Sequence, residues 1–206
     1  MLLQHGHYMD SLVWFKEKRA GKPIPLQLFD AGYDVWLGNN RGSYNCELQS
    51  SRQSQMNQRD VWDWSYAEMA KYDLPAFILK VKQVSGRDKV SYIGYDQGAT
   101  QMLYGLAHWE KLFFQKHLSK AILMAPCAKP KVMDYEKIFD GYKNVFFAAK
   151  QGMLYSSLDP RWKGKMRRLI CHKISVEYCM TYFDDYQATS MKALEHMLQN
   201  GVEQRF

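Results

Sequence analysis

The chain has 206 residues, of which 47% are hydrophobic and 15% aromatic, which is enough for one ordinary domain with a sizeable core. Its formal net charge is +7, but no recognisable nucleic-acid module accompanies the basic residues, so we expect no nucleic-acid partner. No apolar run reaches the roughly 18 residues that a membrane-spanning helix needs, which predicts a soluble or peripheral chain.

The N-terminal part of the chain contains two short candidate strands. Residues 2–4 form a short apolar start. Residues 26–31 favour a short helix closed by Gly32, because glycine commonly follows the last helical residue. Residues 33–37 are rich in strand-forming side chains, so a second strand is predicted to begin near Tyr33.

A helical segment and a third strand follow. Residues 64–84 have helical character, but Pro75 lies near the start. Because proline cannot donate a backbone hydrogen bond, we predict a broken first turn and a regular helix from about Leu74, ended by Gly86. The apolar residues 90–93 predict a buried strand.

The remaining elements complete an alternating pattern. Residues 99–114 predict a helix with an apolar stripe, and residues 121–124 predict another buried strand. Short apolar strands that alternate with helices are typical of a parallel α/β sheet. After Pro130 the sequence is helical in character, so we predict an α/β core over residues 1–129 and a helical, cap-like region over residues 130–206.

One strand–turn–helix pattern points to chemistry. A strand is followed by Gly94-Tyr95-Asp96-Gln97-Gly98 and then by a helix. Glycines suit a sharp turn at which the strand and helix backbones pass close together. In many hydrolases this turn is the nucleophile elbow, G-x-S-x-G, with serine at its centre. Here Asp96 occupies the nucleophile position.

Beyond this turn, residues 2–6, 30–42, 62–65 and 68–76 also match the sequence pattern of one known protein family. In this order and spacing the chain resembles the acid lipases, the lysosomal and gastric lipase family. The resemblance implies a partial α/β-hydrolase fold, with a short, mainly parallel sheet, flanking helices and a helical cap. It covers nearly all of this chain but only about the middle half of a full family member.

The resemblance also implies how the site would work. Acid lipases hydrolyse lipid esters with Ser, Asp and His, in that chain order. The oxyanion hole would use the backbone N–H of Gln97, and that of His7 in the loop after His5 and Gly6. Asp96 cannot form the ordinary acyl-enzyme of an ester hydrolase, so we interpret it as a degenerate and inactive nucleophile position.

The family's triad Asp and His have no matching position before Phe206. We therefore expect this chain by itself to be catalytically inactive. The strands that the family adds on both sides of the sheet are also absent, and open sheet edges invite pairing with other chains. This predicts other protein subunits as partners.

The cysteines and the basic residues allow further expectations. Cys171 and Cys179 resemble the cysteine pair of the family's cap and are a possible disulfide. The four cysteines include no CxxC pattern, and we expect neither a metal nor a cofactor. The basic segment 161–173, from Arg161 to Lys173, is either a solvated helix face or a contact for anionic membrane lipids or an acidic partner.

The compartment is weakly indicated. No signal peptide and no N-x-Ser/Thr acceptor are visible in the sequence. These absences favour an intracellular or organellar assembly, such as a mitochondrial one, over a secreted or lysosomal protein.

Three functional hypotheses follow. The favoured one is a lipase-derived pseudoenzyme that acts as a binding, structural or accessory subunit of a larger assembly. The second is a triacylglycerol or cholesteryl ester hydrolase completed by a C-terminal half or a partner chain. The third is an Asp-nucleophile hydrolase of the epoxide hydrolase type, with Asp96 as nucleophile and an unseen base.

Overall fold

A computed structural model of the chain describes residues 1–16, 21–43, 58–108, 111–128 and 189–203. Its elements in chain order are β1 (Leu2–Gln4), α1 (Val13–Lys16), α2 (Ile24–Asp30), β2 (Trp36–Gly38), α3 (Gln58–Trp62), α4 (Tyr66–Glu68), a π-helical turn (Met69–Asp73), α5 (Leu74–Ser85), β3 (Val90–Tyr95), α6 (Gln97–His108), α7 (Lys111–His117), β4 (Leu118–Met124) and α8 (Met191–Glu203). In these ranges, no helix is long and apolar enough to cross a membrane.

The four strands form one parallel sheet in the order β2-β1-β3-β4. The central strand β1 pairs with both neighbours, so that Leu3 faces Leu37 on one side and Ile93 on the other. Because all four strands are parallel, their carboxyl ends share one edge of the sheet. That edge brings the residues after Gln4 next to the turn that follows Tyr95. The predicted α/β architecture is confirmed.

Alternate side chains of the strands pack on the two faces of the sheet. On one face Leu2 and Tyr92 lie in a core with residues of α5 and α6. On the other face Leu3 and Ile93 pack with Trp14 of α1. All five side chains are buried, and burying each large apolar side chain contributes about 1.5–3 kcal/mol.

The regular helix from Leu74 forms as predicted, but the chain before it is π-helical and not broken. Ser65 begins α4 as the N-cap in a reciprocal capping box with Glu68. The chain then forms the π-helical turn, and Pro75 lies in the first turn of α5, where its missing N–H costs least. This arrangement places Asp73 at the junction of the two helical segments, next to the loop after β2.

Three sequence predictions are wrong for β4 and α6. Residues 121–124 were expected to be buried, but β4 is an edge strand in the described part of the chain, with Ile122 50% exposed and Met124 37% exposed. The strand also begins earlier, at Leu118, which pairs with Val90. The single helix expected over residues 99–114 is instead two helices, α6 and α7.

The second strand also begins later than expected. Tyr33 is not in β2, because its N–H donates to the carbonyl of Leu28 and it belongs to the turn that ends α2. The strand starts at Trp36, whose N–H donates to the carbonyl of Met1. Most of the predicted cap, the basic segment from Arg161 to Lys173, Cys171 and Cys179 lie outside the described residues.

Candidate active site

Residues 94–98, which we call the elbow, join β3 to α6 at the carboxyl edge of the sheet. Asp96 has a φ of +51°, in the left-handed region that non-glycine residues rarely adopt. Its N–H donates to the carbonyl of Met124 at 2.9 Å, and its own carbonyl accepts from the N–H of Thr100 at 2.9 Å. These bonds hold a conformation that costs about 1–3 kcal/mol.

The glycines of the elbow allow its close contact with β1. A Cβ on Gly94 would lie 2.7 Å from the backbone N of Ala99. A Cβ on Gly98 would lie 2.5 Å from the carbonyl oxygen of Gln4. Since both neighbours are backbone atoms, neither can move aside cheaply. The predicted need for glycine at both positions is therefore explained by packing.

The carboxylate of Asp96 lies against the loop that follows β1. Its Oδ2 accepts a hydrogen bond from the backbone N–H of His7 at 2.7 Å. A Cβ on Gly6 would come within 2.7 Å of the same oxygen, so this approach needs glycine. Among the described residues, Oδ1 of Asp96 has no hydrogen-bond partner. The backbone N–H of His7, which the sequence assigned to an oxyanion hole, therefore already donates a hydrogen bond to the side chain of Asp96.

His5 is held entirely by backbone groups. Its side chain is buried, its Nδ1 lies 2.9 Å from the carbonyl oxygen of Gly6, and its Nε2 accepts the N–H of Asn40 at 3.2 Å. Because the carbonyl can only accept, Nδ1 carries the proton. Burial lowers the pKa of His5 below its ordinary value of 6.5. The neutral ring fastens the loop after β1 to the end of β2.

His7 contributes a side chain to the site as well as its backbone N–H. Its Nδ1 lies 2.5 Å from Oε1 of Gln97 and therefore donates to it. Its Nε2 is buried and has no hydrogen-bond partner among the described residues. Burial lowers the pKa of His7 from its ordinary value, although Asp96 opposes this effect. The ring is therefore neutral and presents one unused acceptor.

A small, narrow cleft opens beside Asp96. It is lined by His7, Tyr66, Asp96, Gln97, Thr100, Cys127, Ala193 and Met197. These residues come from five parts of the chain: the loop after β1, α4, the elbow with the start of α6, the turn after β4, and α8. Among the described residues, no group of three metal-binding side chains occurs.

The model of the alpha/beta hydrolase fold family matches residues 1–159. The chain belongs to this family. Its resemblance to the acid lipases is confirmed by relatives such as the worm Lipase lipl-3 (Caenorhabditis elegans), which is 36% identical over 162 residues, covering 73% of this chain and 38% of the relative. Human lysosomal acid lipase/cholesteryl ester hydrolase is 37% identical over 136 residues, covering 63% of this chain and 33% of that protein.

A third relative matches more of this chain at lower identity. A probable lipase of Schizosaccharomyces pombe is 28% identical over 216 residues, covering 95% of this chain and 45% of that protein. The chain therefore spans less than half the length of each of these three relatives. A solved extracellular α/β-hydrolase from Paenibacillus, at 10% identity, matches 91% of this chain and 65% of its own with a TM-score of 0.52, which supports the fold alone.

In this member of the alpha/beta hydrolase fold family, α8 packs beside the cleft. The ring of His196 stacks on Tyr66 at a centroid distance of 4.3 Å, and Asn200 donates to the Tyr66 hydroxyl. Burial lowers the pKa of His196 and raises the pKa of Tyr66 to about 12. Both rings are therefore neutral near pH 7 and form an apolar contact between α8 and α4.

Ser65, His196 and Glu68 lie together but do not form a second catalytic site. The Nδ1 of His196 is 3.2 Å from Oγ of Ser65, which in turn lies 2.9 Å from Glu68. Ser65 is 1% exposed, and its Oγ accepts the N–H of Ala67 as a helix cap. A substrate cannot reach this hydroxyl, so the cluster is structural.

Most of the residues that the sequence singled out lie either in the elbow or in the loop after β1. His5, Gly6, His7, Gly94, Asp96, Gln97 and Gly98 all lie at one edge of the sheet. Sequence reasoning did not assign five of the cleft residues: Tyr66, Thr100, Cys127, Ala193 and Met197. No local motif marks Tyr66, Ala193 and Met197, because only the packing of α4 and α8 brings them to the elbow.

Proposed function

We propose that this acid-lipase-like protein does not hydrolyse esters at its elbow and instead acts by binding, as an accessory or structural subunit of a larger assembly. The observation that supports this is the bond from the His7 N–H to the Asp96 carboxylate. An ester hydrolase needs that donor to be available for the oxyanion that develops during acyl transfer.

The chemistry of the carboxylate supports the same conclusion. A serine that attacks an ester forms an acyl-enzyme, whereas a carboxylate that attacks the acyl carbon would form an anhydride. In addition, a substrate carbonyl would have to displace a charge-assisted hydrogen bond of 2.7 Å from the donor. Both effects oppose ordinary lipase turnover through Asp96.

The subunit role is supported by the exposed edge of the sheet. Along β4, Ser119, Lys120, Ala121, Ile122 and Met124 are exposed, and the described residues provide no strand beyond it. An unpaired edge with apolar side chains suits pairing with a strand of another protein. We include in this proposal a second contact, between the basic segment 161–173 and an anionic membrane surface or acidic partner.

A second candidate function is lipid-ester hydrolysis completed by residues outside this chain. It is favoured by the relatives, because they are named as lipases. Each of these relatives is also more than twice as long as its segment that matches this chain. In this case another segment or chain would supply the triad acid and base, and the ester would have to react despite Asp96.

A third candidate is an Asp-nucleophile hydrolase acting on epoxides or alkyl halides. The specific observation is that one carboxylate oxygen of Asp96 is held by His7, whereas Oδ1 has no partner among the described residues. A nucleophilic carboxylate could attack an alkyl carbon through that free oxygen. This reaction would leave an alkyl ester on Asp96.

The test is ester hydrolysis by the native protein, using p-nitrophenyl butyrate and triolein, compared with its Asp96→Asn variant. We expect no turnover above background from either protein. Asp88→Asn, which changes an exposed carboxylate away from the cleft, is the matched control. Ester turnover that is lost in Asp96→Asn but kept in Asp88→Asn would overturn the proposal.

Two further measurements distinguish the candidates. Native mass spectrometry of the purified particle should find this chain bound to other polypeptides if it is a subunit. Peptide mass spectrometry after incubation with styrene oxide should find Asp96 unmodified. An alkylated Asp96 would instead support the third candidate.

A further inference from the structure

We propose that the outer surface of α5 and α7 docks onto an anionic lipid membrane. We call this surface the α5–α7 surface. It lies on the helices that cover one face of the sheet, at the end remote from the elbow, so membrane docking does not depend on what the elbow does. It is also separate in sequence from the basic segment 161–173.

The two helices lie next to each other in one layer. Both pack into the same core, α5 through Ile78 and α7 through Phe114, so their opposite sides face solvent on the same side of the sheet. Lys82 of α5 donates to Nδ1 of His117, the last residue of α7, at 2.7 Å. His117 immediately precedes β4, so this contact lies at the amino edge of the parallel sheet, opposite the elbow.

The α5–α7 surface gathers positive charge. Residues 74–89 and 111–120 carry a net charge of +6, against +7 for the whole chain, because they contain seven Lys and Arg side chains and one acidic residue, Asp88. Neither helix itself contains an acidic residue.

Three of these positive charges lie close together without a counter-charge. Burial lowers the pKa of His117, and three lysines near it lower that pKa further: Lys82, Lys116 and Lys89. In the described part of the chain, no carboxylate forms an ion pair with any of the three. Like charges at such spacing repel one another, so an anionic surface that approached them would be attracted.

Large apolar side chains are exposed among these lysines. Leu112 is 79% exposed, Val84 57% and Leu79 47%. Each lies about one helical turn from a lysine of its own helix, which places the two side chains side by side: Leu112 with Lys116, Val84 with Lys80, and Leu79 with Lys82.

This mixture of side chains fits a bilayer better than an acidic macromolecule. At the surface of an anionic membrane, lysines meet the head groups while neighbouring apolar side chains enter the acyl boundary. An acidic protein or a nucleic acid would match the lysines but would leave Leu112 and Val84 without an apolar partner.

The test measures co-sedimentation of the native protein with large unilamellar vesicles. The vesicles contain phosphatidylcholine alone or with about 30% phosphatidylserine, which supplies the anionic charge. We expect the partition coefficient to be at least about tenfold higher with phosphatidylserine, since each lysine near an anionic surface contributes about fivefold to binding.

Paired lysine variants identify the surface that is responsible. Lys82→Gln combined with Lys116→Gln should bind the phosphatidylserine vesicles at least about tenfold more weakly. The matched control is Lys16→Gln combined with Lys22→Gln, which removes the same charge from exposed positions in α1 and just before α2, on the other face of the sheet. The control should bind within about twofold of the native protein.

A change at Leu112 tests the contact with lipid. Leu112→Gln should weaken binding by at least about threefold, because its apolar side chain no longer enters the acyl boundary. Its stability in urea should match that of the native protein, since the side chain is largely exposed. Phe29→Gln is the control, at a residue of α2 that is 69% exposed on the other face of the sheet.

Equal binding to the two kinds of vesicle would overturn the proposal. Unchanged binding after the loss of Lys82 and Lys116 would also overturn it, and would assign the contact to other basic residues, such as segment 161–173. Unchanged binding of Leu112→Gln would show attraction by charge alone and would rule out insertion into lipid. The proposed function fails on a different result, ester turnover that depends on Asp96, so the two failures can be told apart.

Discussion

Gly98 of the elbow has no room for a side chain. A Cβ there would lie 2.5 Å from the carbonyl oxygen of Gln4 and 2.8 Å from that of His5. We therefore expect Gly98→Ala to lower the free energy of unfolding by about 2–3 kcal/mol, as in other overpacked sites. The measurement is urea denaturation followed by circular dichroism.

The control for Gly98 is Gly32→Ala. Gly32 has a φ of +83°, but nothing lies within 4 Å of a Cβ placed on it. Its substitution should cost about 1–2 kcal/mol, the strain of the left-handed conformation alone. An equal or larger loss at Gly32 would mean that steric contact with β1 does not determine the need for glycine at the elbow.

His5 should make the stability of the protein depend on pH. Burial lowers its pKa in the folded state below the ordinary value of 6.5, so the unfolded chain takes up a proton first as the pH falls. The contribution of His5 is therefore complete above about pH 6.5 and is lost progressively below it, by up to about 1.4 kcal/mol per pH unit.

The measurement is the free energy of unfolding in urea from pH 8 down to pH 5. His5→Gln should reduce the slope below pH 6.5, because one buried histidine no longer titrates. His7 and His196 also have lowered pKa values and should preserve part of the slope. His108→Gln changes an exposed ring and serves as the control; a slope unchanged in His5→Gln would contradict the prediction.

At the scale of single residues, the sequence predicted the backbone conformation of the elbow better than the contacts of the side chains around it. The glycines and Asp96 were found because a sharp strand-to-helix turn has a local pattern. The side chain of His7 was not assigned to the cleft, because its contact with Gln97 joins residues 90 positions apart. Only the pairing of β1 with β3 makes that contact possible.

At the scale of elements, the loop after β2 is fastened to the junction before α5 by one ion pair. Arg41 donates to Asp73 through Nε at 2.9 Å and Nη2 at 2.6 Å, and its backbone N–H donates to the same carboxylate at 3.2 Å. The two side chains are 28% and 10% exposed. This geometry indicates that Arg41 holds its loop against the junction.

We expect a double-mutant cycle of Arg41→Ala and Asp73→Ala to give a coupling free energy of about 1–3 kcal/mol, because the bonds are multiple and charge-assisted. The matched pair is Lys22 and Asp30, whose side chains are 49% and 56% exposed. Exposed pairs of this kind couple by about 1 kcal/mol or less. Similar coupling in both cycles would contradict the view that Arg41 and Asp73 hold the two elements together.

Helices and strands were predicted well where a local sequence pattern determines them. They were predicted poorly where contacts with neighbouring elements determine their extent or burial. Pro75 affects where the regular helix α5 begins through its own backbone, so the start at Leu74 could be predicted from the sequence. The exposure of Ile122 could not be predicted, because an apolar strand has the same composition at the centre and at the edge of a sheet. The extent of β2 depends likewise on the turn that ends α2.

At the scale of the whole molecule, the two edge strands of the described sheet differ, because β2 is partly buried and β4 is largely exposed. The β1 and β3 strands are paired on both sides, while β4 presents Ile122 and Met124 to solvent at 50% and 37% exposure. The loss of water around these side chains would favour association, and the edge backbone groups would add hydrogen bonds to a new strand. The proposed subunit role therefore makes β4 the first surface to test.

We expect Ile122→Lys to reduce the fraction of the chain found in its native assembly, because a lysine on an edge strand opposes strand pairing. The stability of the chain itself should change little, since Ile122 is half exposed. Native mass spectrometry measures the assembly, and urea denaturation measures the stability. Phe29→Lys, at a residue of α2 that is 69% exposed, is the matched control away from the edge. If Ile122→Lys assembles like the native protein, β4 is not the contact surface, and the partner must bind elsewhere.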